Sequence, residues 1–399
     1  MGSMSDSPAA GPRLYITGLG AQYPAYLLEA DKLDQVAKRF YDVDSPGLKR
    51  LLQINQTTGI ETRSAVRTYE NGFGSQSTPP TVTDIHAFYR QTGVDLTVKA
   101  CRKAMREARL APRHITHSIG VTGTNHGNPG YNQLVNQKLG LAPTVDHMLL
   151  NGVGCAGGLA IMRAAAQIAL GASARGRPAR ILAFACELCT PNLRHDLAAA
   201  EACLDPDSVC IAGALFSDAA AAFVLCNDLA VAQDSTSCSS PLFELVEWDN
   251  ATIPDTLEHM VFYPGPHGYH TTLTPELPDL TMKAVGPMFE SMLPAYQQRI
   301  LHNHSNKNLL TAADFDWAVH PGGLSILEGV KALLSLSDDH LRASQDIYAS
   351  HGNSSSPTVL IVLDKLRKMG KTRDHIVATA FGPGLTLAGD EGSDEVREF

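Results

Sequence analysis

The sequence predicts an α/β fold, a mixed sheet covered by helices. Short apolar segments typical of buried strands alternate with segments that have helical spacing, and this alternation runs through both halves of the 399-residue chain. The composition, with 44% hydrophobic and 18% charged residues, is that of a compact globular protein. A chain of this length is expected to form one large or two medium-sized domains.

In the first half, short apolar runs predict strands at residues 13–20, 118–124, 147–155, 180–185 and 214–228. Residues 95–110 have the spacing of an amphipathic helix, and a second helix is expected after Cys155. The polar, serine-rich stretch 227–241 is the predicted connection between the halves. We therefore expect a tag remnant and flexible lead at 1–12, then halves at 13–235 and 236–399.

The second half repeats this alternation. Strands are predicted at 243–253 and 315–323, and the closing segment 375–389 is expected to form two strands with a turn between them. Helices are predicted at 279–301, which contains prolines, and at 357–370, which has proline near its start and glycine at its end. The trio "HGN" occurs at His126 and again at His351, which is a weak sign of internal duplication.

Charge and hydropathy exclude several classes of protein. The net charge of −9 argues against a nucleic-acid partner, whose phosphates require a basic face. No apolar run reaches the roughly 18 residues of a membrane span, and no signal sequence opens the chain. A cytoplasmic protein without a membrane span is therefore expected.

The eight cysteines are too few and too scattered for a disulfide scaffold. Cys186 and Cys189 have the CxxC spacing of zinc and redox sites, but Cys203 and Cys210 are badly spaced to supply a second zinc-binding pair. A structural or cavity-lining role is expected for the CxxC segment, and no metal site is predicted.

Cys155 is the first candidate for chemistry, because it lies between glycines where a predicted strand meets a long alanine-rich helix. Gly157 and Gly158 are expected to leave room for a ligand beside the backbone. The positive end of the helix is expected to lower the pKa of the thiol and raise its thiolate fraction. A small buried residue at a tight turn is an equally good interpretation of the same segment.

Two further polar residues are predicted at the ends of elements. His320 follows an apolar strand and precedes a Gly-Gly turn, where it could form an ion pair with a thiolate and exchange protons. Asn353 is expected at the start of a helix, where its amide could donate a hydrogen bond to an oxyanion or simply cap the helix. The three residues together are a stronger signal than any one of them.

The order of the segments "GCAGG", "HPGG", "GNSSS" and "FGPGLT" resembles that of type III polyketide synthases, the chalcone synthase superfamily. The likeness extends from "LYITGLGAQYP" near the start of the chain to "FGPGLTLAG" near its end. It implies the thiolase fold, a duplicated αβαβα five-layer core, in a homodimer. It also implies an acyltransferase that uses acyl-CoA and malonyl-CoA as substrates, with no other cofactor and no acyl carrier protein.

The resemblance assigns roles to individual residues. It makes Cys155 the nucleophile that accepts the acyl group, and it makes His320 and Asn353 the donors that stabilise the enolate formed when malonyl-CoA loses carbon dioxide. It also implies that Phe216 is a gatekeeper and that the cavity is lined by Glu187, Cys189, Asn192 and Ser355. Asn128 and Pro129 would lie at a dimer contact that reaches the neighbouring cavity, and Lys49 and Arg50 would bind coenzyme A.

Departures from the plant pattern predict the type of product. Plant members commonly have threonines where Cys189 and Asn192 stand, and Gln53 and Thr57 replace basic residues expected for coenzyme A binding. We therefore expect a fungal-style enzyme that extends medium- to long-chain fatty acyl starters into alkylpyrones, alkylresorcinols or alkylresorcylic acids. An initiating ketoacyl synthase of fatty acid synthesis and a non-enzymatic acyl-CoA binder are the alternatives.

Overall fold

The structure is a computed structural model that describes residues 11–233, 240–301, 309–370, 372–383 and 386–393. The predicted boundary between the halves at 235/236 and most of the predicted lead lie outside these residues. The strands are β1 Leu14–Gln22, β2 Tyr26–Glu29, β3 Thr62–Ala65, β4 His117–Val121, β5 Asp146–Leu150, β6 Arg180–Leu188, β7 Asp218–Asn227, β8 Phe243–Thr252, β9 Met260–Gly265, β10 Gly268–Leu273, β11 Phe315–Val319, β12 His375–Gly382 and β13 Thr386–Ser393.

Helices alternate with these strands, as predicted. They are α1 Leu33–Ala37, α2 Pro46–Asn55, α3 Val82–Glu107, α4 Tyr131–Leu139, α5 Gly157–Ala174, α6 Leu193–Ala202, α7 Ala212–Leu215, α8 Asp228–Gln233, α9 Leu277–Leu301, α10 Leu324–Leu333, α11 Arg342–His351 and α12 Thr358–Lys368. Each predicted strand and helix matches one of these elements, and the two strands predicted within residues 375–389 are β12 and the start of β13. The two-stranded hairpin of β9 and β10 was not predicted.

Strand pairing in the large sheet repeats once. Within the described residues, nine strands are ordered β11-β12-β13-β8-β1-β7-β6-β4-β5. In one half, β1 is antiparallel to β7, β7 is antiparallel to β6, and β6 is parallel to β4. The strands β8, β13, β12 and β11 follow the same rule in the other half. A short antiparallel contact between β1 and β8 joins the halves, so the pairing agrees with a duplicated unit.

Helices lie on both faces of each half-sheet. Successive residues of a strand point to opposite faces, and in β6 Ala183 packs toward α5 whereas Phe184 packs toward α3 and α4. In β11, Ala318 faces the same central core as α5 and α12, whereas Trp317 packs with α9 and α10. The order of layers is therefore helices, sheet, the pair α5 and α12, sheet, helices, which is the predicted five-layer arrangement.

The N-terminal end of α5 packs closely against the segment that precedes α12. A Cβ atom on Gly158 would lie 2.6 Å from the carbonyl oxygen of Ser356, and one on Gly157 would lie 2.8 Å from Ser356 Cβ. The expectation that these glycines leave room for a ligand was wrong, since the space is filled by the other half of the chain. Their absent side chains instead bring Cys155 beside residues 353–356.

Among the described residues, one helix is long and apolar enough to cross a membrane. It runs from Gly154 to Ala174, and 61% of its most apolar stretch is buried within the fold. The expectation that no segment would qualify overlooked it, because Arg163 and Gln167 interrupt the apolar run. The core helix of a soluble protein satisfies the same criteria, and α5 lies in the central layer.

Candidate active site

The candidate residues meet where strand ends converge. Because β4, β5 and β6 are parallel, the loops that follow them lie at one edge of the sheet, and these loops carry His126, Cys155 and Cys189. The other half contributes His320 directly after β11 and Asn353 after α11. An isolated parallel bridge between Phe216 and Asn353 joins the two contributions.

These residues line one cavity of about 570 Å³. Its wall includes all three predicted catalytic residues, Cys155, His320 and Asn353. It also includes the predicted gatekeeper, three of the predicted cavity residues and one predicted coenzyme A-binding residue, namely Phe216, Glu187, Cys189, Ser355 and Arg50. Most of the residues that the sequence singled out therefore lie together around one cavity.

The environment of the Cys155 thiol favours its protonated form. Cys155 lies in the 3₁₀ turn Gly154–Ala156, just before α5, and its Sγ lies 3.4 Å from the Oγ of Ser355, to which it donates. Burial raises the pKa of this thiol to about 11, although hydrogen bonds with Ser355 and Asn353 act in the opposite direction. The predicted lowering of the pKa was therefore wrong, because loss of hydration at this buried position outweighs the favourable helix end.

His320 has an imidazole with both nitrogens unpartnered. Its side chain is 1% exposed, and neither Nδ1 nor Nε2 has a hydrogen-bond partner in the described part of the chain. Its backbone is fixed by a bond from the amide nitrogen to the carbonyl oxygen of Thr379, at 2.7 Å. Burial lowers the pKa of the imidazole to about 3. Burial therefore disfavours the predicted ion pair with Cys155, because it favours the neutral form of both groups.

Asn353 is fixed by its backbone and by a turn of its own. Its amide nitrogen donates to the carbonyl oxygen of Leu215 at 3.0 Å, and its carbonyl oxygen accepts from the amide of Ser217 at 2.8 Å. The side-chain Oδ1 accepts from the amide of Ser355 at 2.8 Å, and Nδ2 donates to the carbonyl oxygen of Gly322 at 3.4 Å. The prediction that Asn353 stands at the start of a helix was wrong, because α12 begins only at Thr358.

Glu187 lies on the cavity wall, but its carboxylate is fully engaged. The two oxygens accept from the amides of Gly123 and Thr124 and from the hydroxyls of Thr122, Thr124 and Ser356, at 2.6–3.1 Å. Burial raises the pKa of this carboxyl, and the hydrogen bonds from Ser356 and Thr124 oppose that effect. This carboxylate joins the loop after β4 to the segment before α12.

Asn192 does not line the cavity, which corrects its predicted role. Its Nδ2 donates to Asp196 at 2.9 Å and to the carbonyl oxygen of Tyr269 at 3.0 Å, and its Oδ1 accepts from the amide of Tyr269 at 2.7 Å. Its side-chain amide is instead hydrogen-bonded to the backbone of Tyr269 in the hairpin strand β10. Asn192 thereby holds the β9–β10 hairpin, which forms part of the wall.

The remaining predicted residues lie on the surface. Arg50 reaches the cavity, whereas Lys49 points to Asp44, with the charged atoms 3.6 Å apart. Asn128 and Pro129 are exposed and lie outside the cavity wall. Nothing within the described single chain places them at a neighbour's site, so the dimer contact stays a prediction.

The two cysteines of the CxxC segment lie in different surroundings. Cys186 points away from the cavity, with its Sγ 3.5 Å from the carbonyl oxygen of Gly93, whereas Cys189 lines the cavity. Within the residues that the structure describes, no group of three or more histidine, cysteine, aspartate or glutamate side chains is placed to hold a metal ion. The predicted cavity-lining role fits Cys189.

The cavity wall also contains the hairpin and several polar residues that the sequence did not indicate. Met260, Phe262, Thr271 and Leu273 of β9 and β10 line the cavity, and the Thr271 hydroxyl is buried without a hydrogen-bond partner. His126 also lines the cavity. The "HGN" trio drew attention to His126, but only as a possible sign of duplication.

Two conserved-domain families and several proteins match this chain. Residues 5–229 match the N-terminal domain of chalcone and stilbene synthases, and residues 267–390 match the C-terminal domain. The type III polyketide synthase pspB of Penicillium soppii is 60% identical over 381 residues, which are 94% of this chain and 95% of that protein. The acylalkylpyrone synthase csyB of Aspergillus oryzae is 33% identical over 93% of this chain and 92% of its own length.

Solved structures agree with the sequence matches. The fungal type III polyketide synthase ORAS superposes with a TM-score of 0.88 at 39% identity, covering 95% of this chain and 99% of that one. A structure of CsyB complexed with CoA gives the same TM-score at 32% identity, with 95% and 99% covered. The thiolase-like fold expected from the sequence is therefore confirmed. The chain belongs to the chalcone and stilbene synthase family and is a type III polyketide synthase, an acyltransferase-type enzyme that catalyses decarboxylative condensation.

Proposed function

We propose that this enzyme loads a medium- to long-chain fatty acyl group from CoA onto Cys155, extends it with malonyl-CoA, and cyclises the product to an alkylpyrone, alkylresorcinol or alkylresorcylic acid. The observation that carries this proposal is the cavity of about 570 Å³ that leads from Cys155 and has a predominantly apolar wall. Its apolar side chains include Ile54, Val209, Ile211, Leu215, Val261, Phe262, Leu273, Leu277, Ile326 and Phe381.

An apolar wall favours long starters over acetyl. Each methylene moved from water into such a site contributes roughly 0.8 kcal/mol, or about a fourfold gain in affinity. Cys189 and Ser355 are too small to close the cavity in the way that an aromatic side chain would. The name of csyB, an acylalkylpyrone synthase, supports a product of this type.

Acyl loading requires that Cys155 give up its thiol proton as it attacks the substrate. His320 can accept the thiol proton because both ring nitrogens are free of protein partners, and the thiolate then attacks the acyl-CoA carbonyl and displaces the CoA thiolate. The proton held by His320 is available to that leaving thiolate. The burial that raises the thiol pKa also keeps competing water away from the acyl-enzyme.

Extension requires stabilisation of an enolate. When malonyl-CoA loses carbon dioxide, the electron pair of the broken bond moves onto the thioester oxygen, where His320 and the Asn353 amide would donate hydrogen bonds. The α-carbon then attacks the acyl-Cys155 carbonyl, a carbon–carbon bond forms, and the bond to Sγ breaks. The extended chain returns to Cys155 for another round. The backbone bonds that fix Asn353 hold this donor before substrate arrives.

We also propose the substrates and assembly that accompany this reaction. Arg50 on the cavity wall is placed to meet the anionic part of a CoA thioester, and CsyB has been solved with CoA bound. A homodimer that uses the exposed residues Asn128 and Pro129, a cytoplasmic location and independence from an acyl carrier protein complete the proposal. The family assignment favours this synthase over the ketoacyl synthase and the acyl-CoA binder.

The test is turnover of malonyl-CoA with acetyl-, octanoyl-, palmitoyl- and coumaroyl-CoA, without carrier protein, with products identified by mass spectrometry. We expect the fatty acyl-CoAs to be preferred, and we expect Cys189→Phe to shorten the accepted chain. A parent enzyme that prefers coumaroyl-CoA and rejects fatty acyl-CoAs would contradict the starter proposed here.

Loading at Cys155 is tested in the same samples. Intact-protein mass spectrometry should show one acyl group on the parent and none on Cys155→Ala, because the thiol is the only proposed acceptor. Cys101→Ala is the matched control, since Cys101 is equally buried but lies in α3, away from the cavity wall. Normal acylation of Cys155→Ala would refute the nucleophile assignment.

A further inference from the structure

The cavity contains a second imidazole that the reaction described above does not use. His126 follows β4 in one half of the chain, whereas His320 follows β11 in the other half, and both line the cavity that holds the Cys155 thiol. His126 is half-buried. Two imidazoles in one reaction cavity can hold two protons at different positions along a bound chain.

The ring of His126 is oriented by its neighbours. Asn151 also lines the cavity, and a hydrogen bond with its side chain acts to raise the pKa of the His126 imidazole. The Nδ2 of Asn151 donates to the carbonyl oxygen of Asn125 at 3.3 Å, so its Oδ1 is left to accept from a ring N–H of His126. This bond selects one tautomer, and the second ring nitrogen becomes a proton acceptor.

The second nitrogen of His126 is accessible. It is not enclosed by protein, and it has no other hydrogen-bond partner within the described residues. Behind the ring lie His86 and Tyr269, with ring centroids 5.7 Å and 5.9 Å from that of His126. His86 and Tyr269 are themselves joined by a 2.6 Å bond between Nε2 and the phenol oxygen. Both are thereby engaged with each other, which leaves His126 as the member of the group that meets the cavity.

Burial makes His126 a neutral base at the pH of the cell. Burial lowers the pKa of its imidazole, and the bond to Asn151 only partly opposes this. The neighbouring His86 also has a pKa lowered by burial and by the adjacent His126. A neutral imidazole with one free nitrogen has the properties required of a general base.

We propose that His126 is a second acid–base residue, which accepts the enol proton when the finished polyketide closes its ring and leaves Cys155. In pyrone formation, the enol oxygen attacks the thioester carbonyl, an oxygen–carbon bond forms, and the carbon–sulfur bond to Cys155 breaks. The enol proton passes to the free nitrogen of His126 and then to the departing thiolate, which restores the neutral thiol. No oxidant, reductant or further reactant is needed.

This assignment deepens the proposed function and rests on it only in requiring a pyrone product, in which ring closure and release from Cys155 are one step. It does not depend on the length of the starter. It separates the work of the two imidazoles, because His320 serves loading and decarboxylation, whereas His126 serves release.

The experiment follows a single turnover of acyl-CoA and malonyl-CoA by parent, His126→Ala and His126→Gln. Intact-protein mass spectrometry measures the chain on Cys155, and chromatography measures the released ring product. His117→Ala is the matched control, since His117 is a half-buried histidine at the other end of β4 that lies outside the cavity wall. Each variant is assayed with and without free imidazole.

Both His126 variants should release ring product about a hundredfold more slowly, which is the lower end of the usual effect of a general base, and extended chains should accumulate on Cys155. Acyl loading should fall much less. Free imidazole should restore release in His126→Ala by about tenfold or more, and His117→Ala should behave like the parent.

Release at the parental rate by both variants would overturn the role of His126 alone. A joint fall in loading and release that imidazole does not correct would show a structural role and would also overturn it. A parent enzyme that releases only linear acids would instead contradict the ring closure in the proposed function and, with it, this role.

Discussion

Glu187 and His320 are buried to the same 1% exposure and line the same cavity, but they differ in every hydrogen bond. The Glu187 carboxylate accepts from five donor groups, whereas neither His320 nitrogen has a partner in the described structure. An unsatisfied buried polar group typically costs about 1–3 kcal/mol, so the fold retains His320 at some expense to its stability. Burial of a polar residue in a cavity therefore does not by itself indicate a chemical role. A buried polar side chain whose hydrogen-bonding atoms have no partner is the better indicator.

The largest effect on activity should come from His320, whose ring nitrogens have no hydrogen-bond partner in the described structure. His320→Gln removes the proton acceptor, and we expect malonyl-CoA decarboxylation to fall by about 10²–10⁴-fold. The free energy of unfolding, measured with urea, should stay within about 1 kcal/mol of the parent because no hydrogen bond is lost. A large loss of stability with little loss of activity would reverse the distinction drawn between the two residues.

A second pair of residues extends the comparison to amides. Asn353→Ala removes one oxyanion donor and should lower decarboxylation by about a hundredfold while sparing much of the loading of Cys155. Asn192→Ala removes the contacts to Tyr269 instead and should mainly alter which acyl chains are accepted. Carbon dioxide release and acyl-chain competition separate these effects. Near-parental decarboxylation by Asn353→Ala would refute its role as a donor.

Substitution of Glu187, whose hydrogen bonds are all formed, should lower the stability of the protein. Glu187→Gln places an NH₂ group among donors from Gly123, Thr124 and Ser356, so at least one of these loses its acceptor. We expect the free energy of unfolding to fall by about 1–3 kcal/mol, measured by urea denaturation. His320→Gln is the matched control, because it introduces the same side chain at an unpartnered site. Equal stability of both variants would remove the contrast.

The last prediction concerns the rate at which the Cys155 thiol is alkylated in the absence of substrate. With a pKa of about 11, Cys155 should react with iodoacetamide about tenfold faster for each pH unit between pH 7 and 10, since only the thiolate reacts. The sign follows from the raised pKa, which leaves the neutral thiol dominant below pH 11. The rate is followed by peptide mass spectrometry. A plateau reached near neutral pH would show that the predicted ion pair with His320 forms after all.

Local patterns identified Cys155, His320 and Asn353 because each was predicted at the end of a strand or helix, with a glycine one or two positions away. The pattern could not show that Asn192 is engaged, since its partner Tyr269 lies 77 residues further along the chain. It also could not show the protonation state of Cys155, which depends on burial by both halves and not on the local helix.

The central fold was predictable for a similar reason. Strands such as β6 and β12 are buried on both faces and leave continuous apolar runs in the sequence. The hairpin of β9 and β10 has mixed polar and aromatic residues and largely lacks such a run. It was missed although it forms much of the cavity wall.

The hairpin is also separate from the nine-stranded sheet, since β9 and β10 pair only with each other. Its attachments are a few side chains, including Asn192 and the bond from His86 to Tyr269. Substitutions on the hairpin can therefore reshape the space around a growing chain without disturbing the strands that hold Cys155 and His320. In evolutionary terms, one part of the cavity wall can vary apart from the strands that carry the reaction chemistry, so a lineage can diversify its natural products while its condensing machinery stays intact.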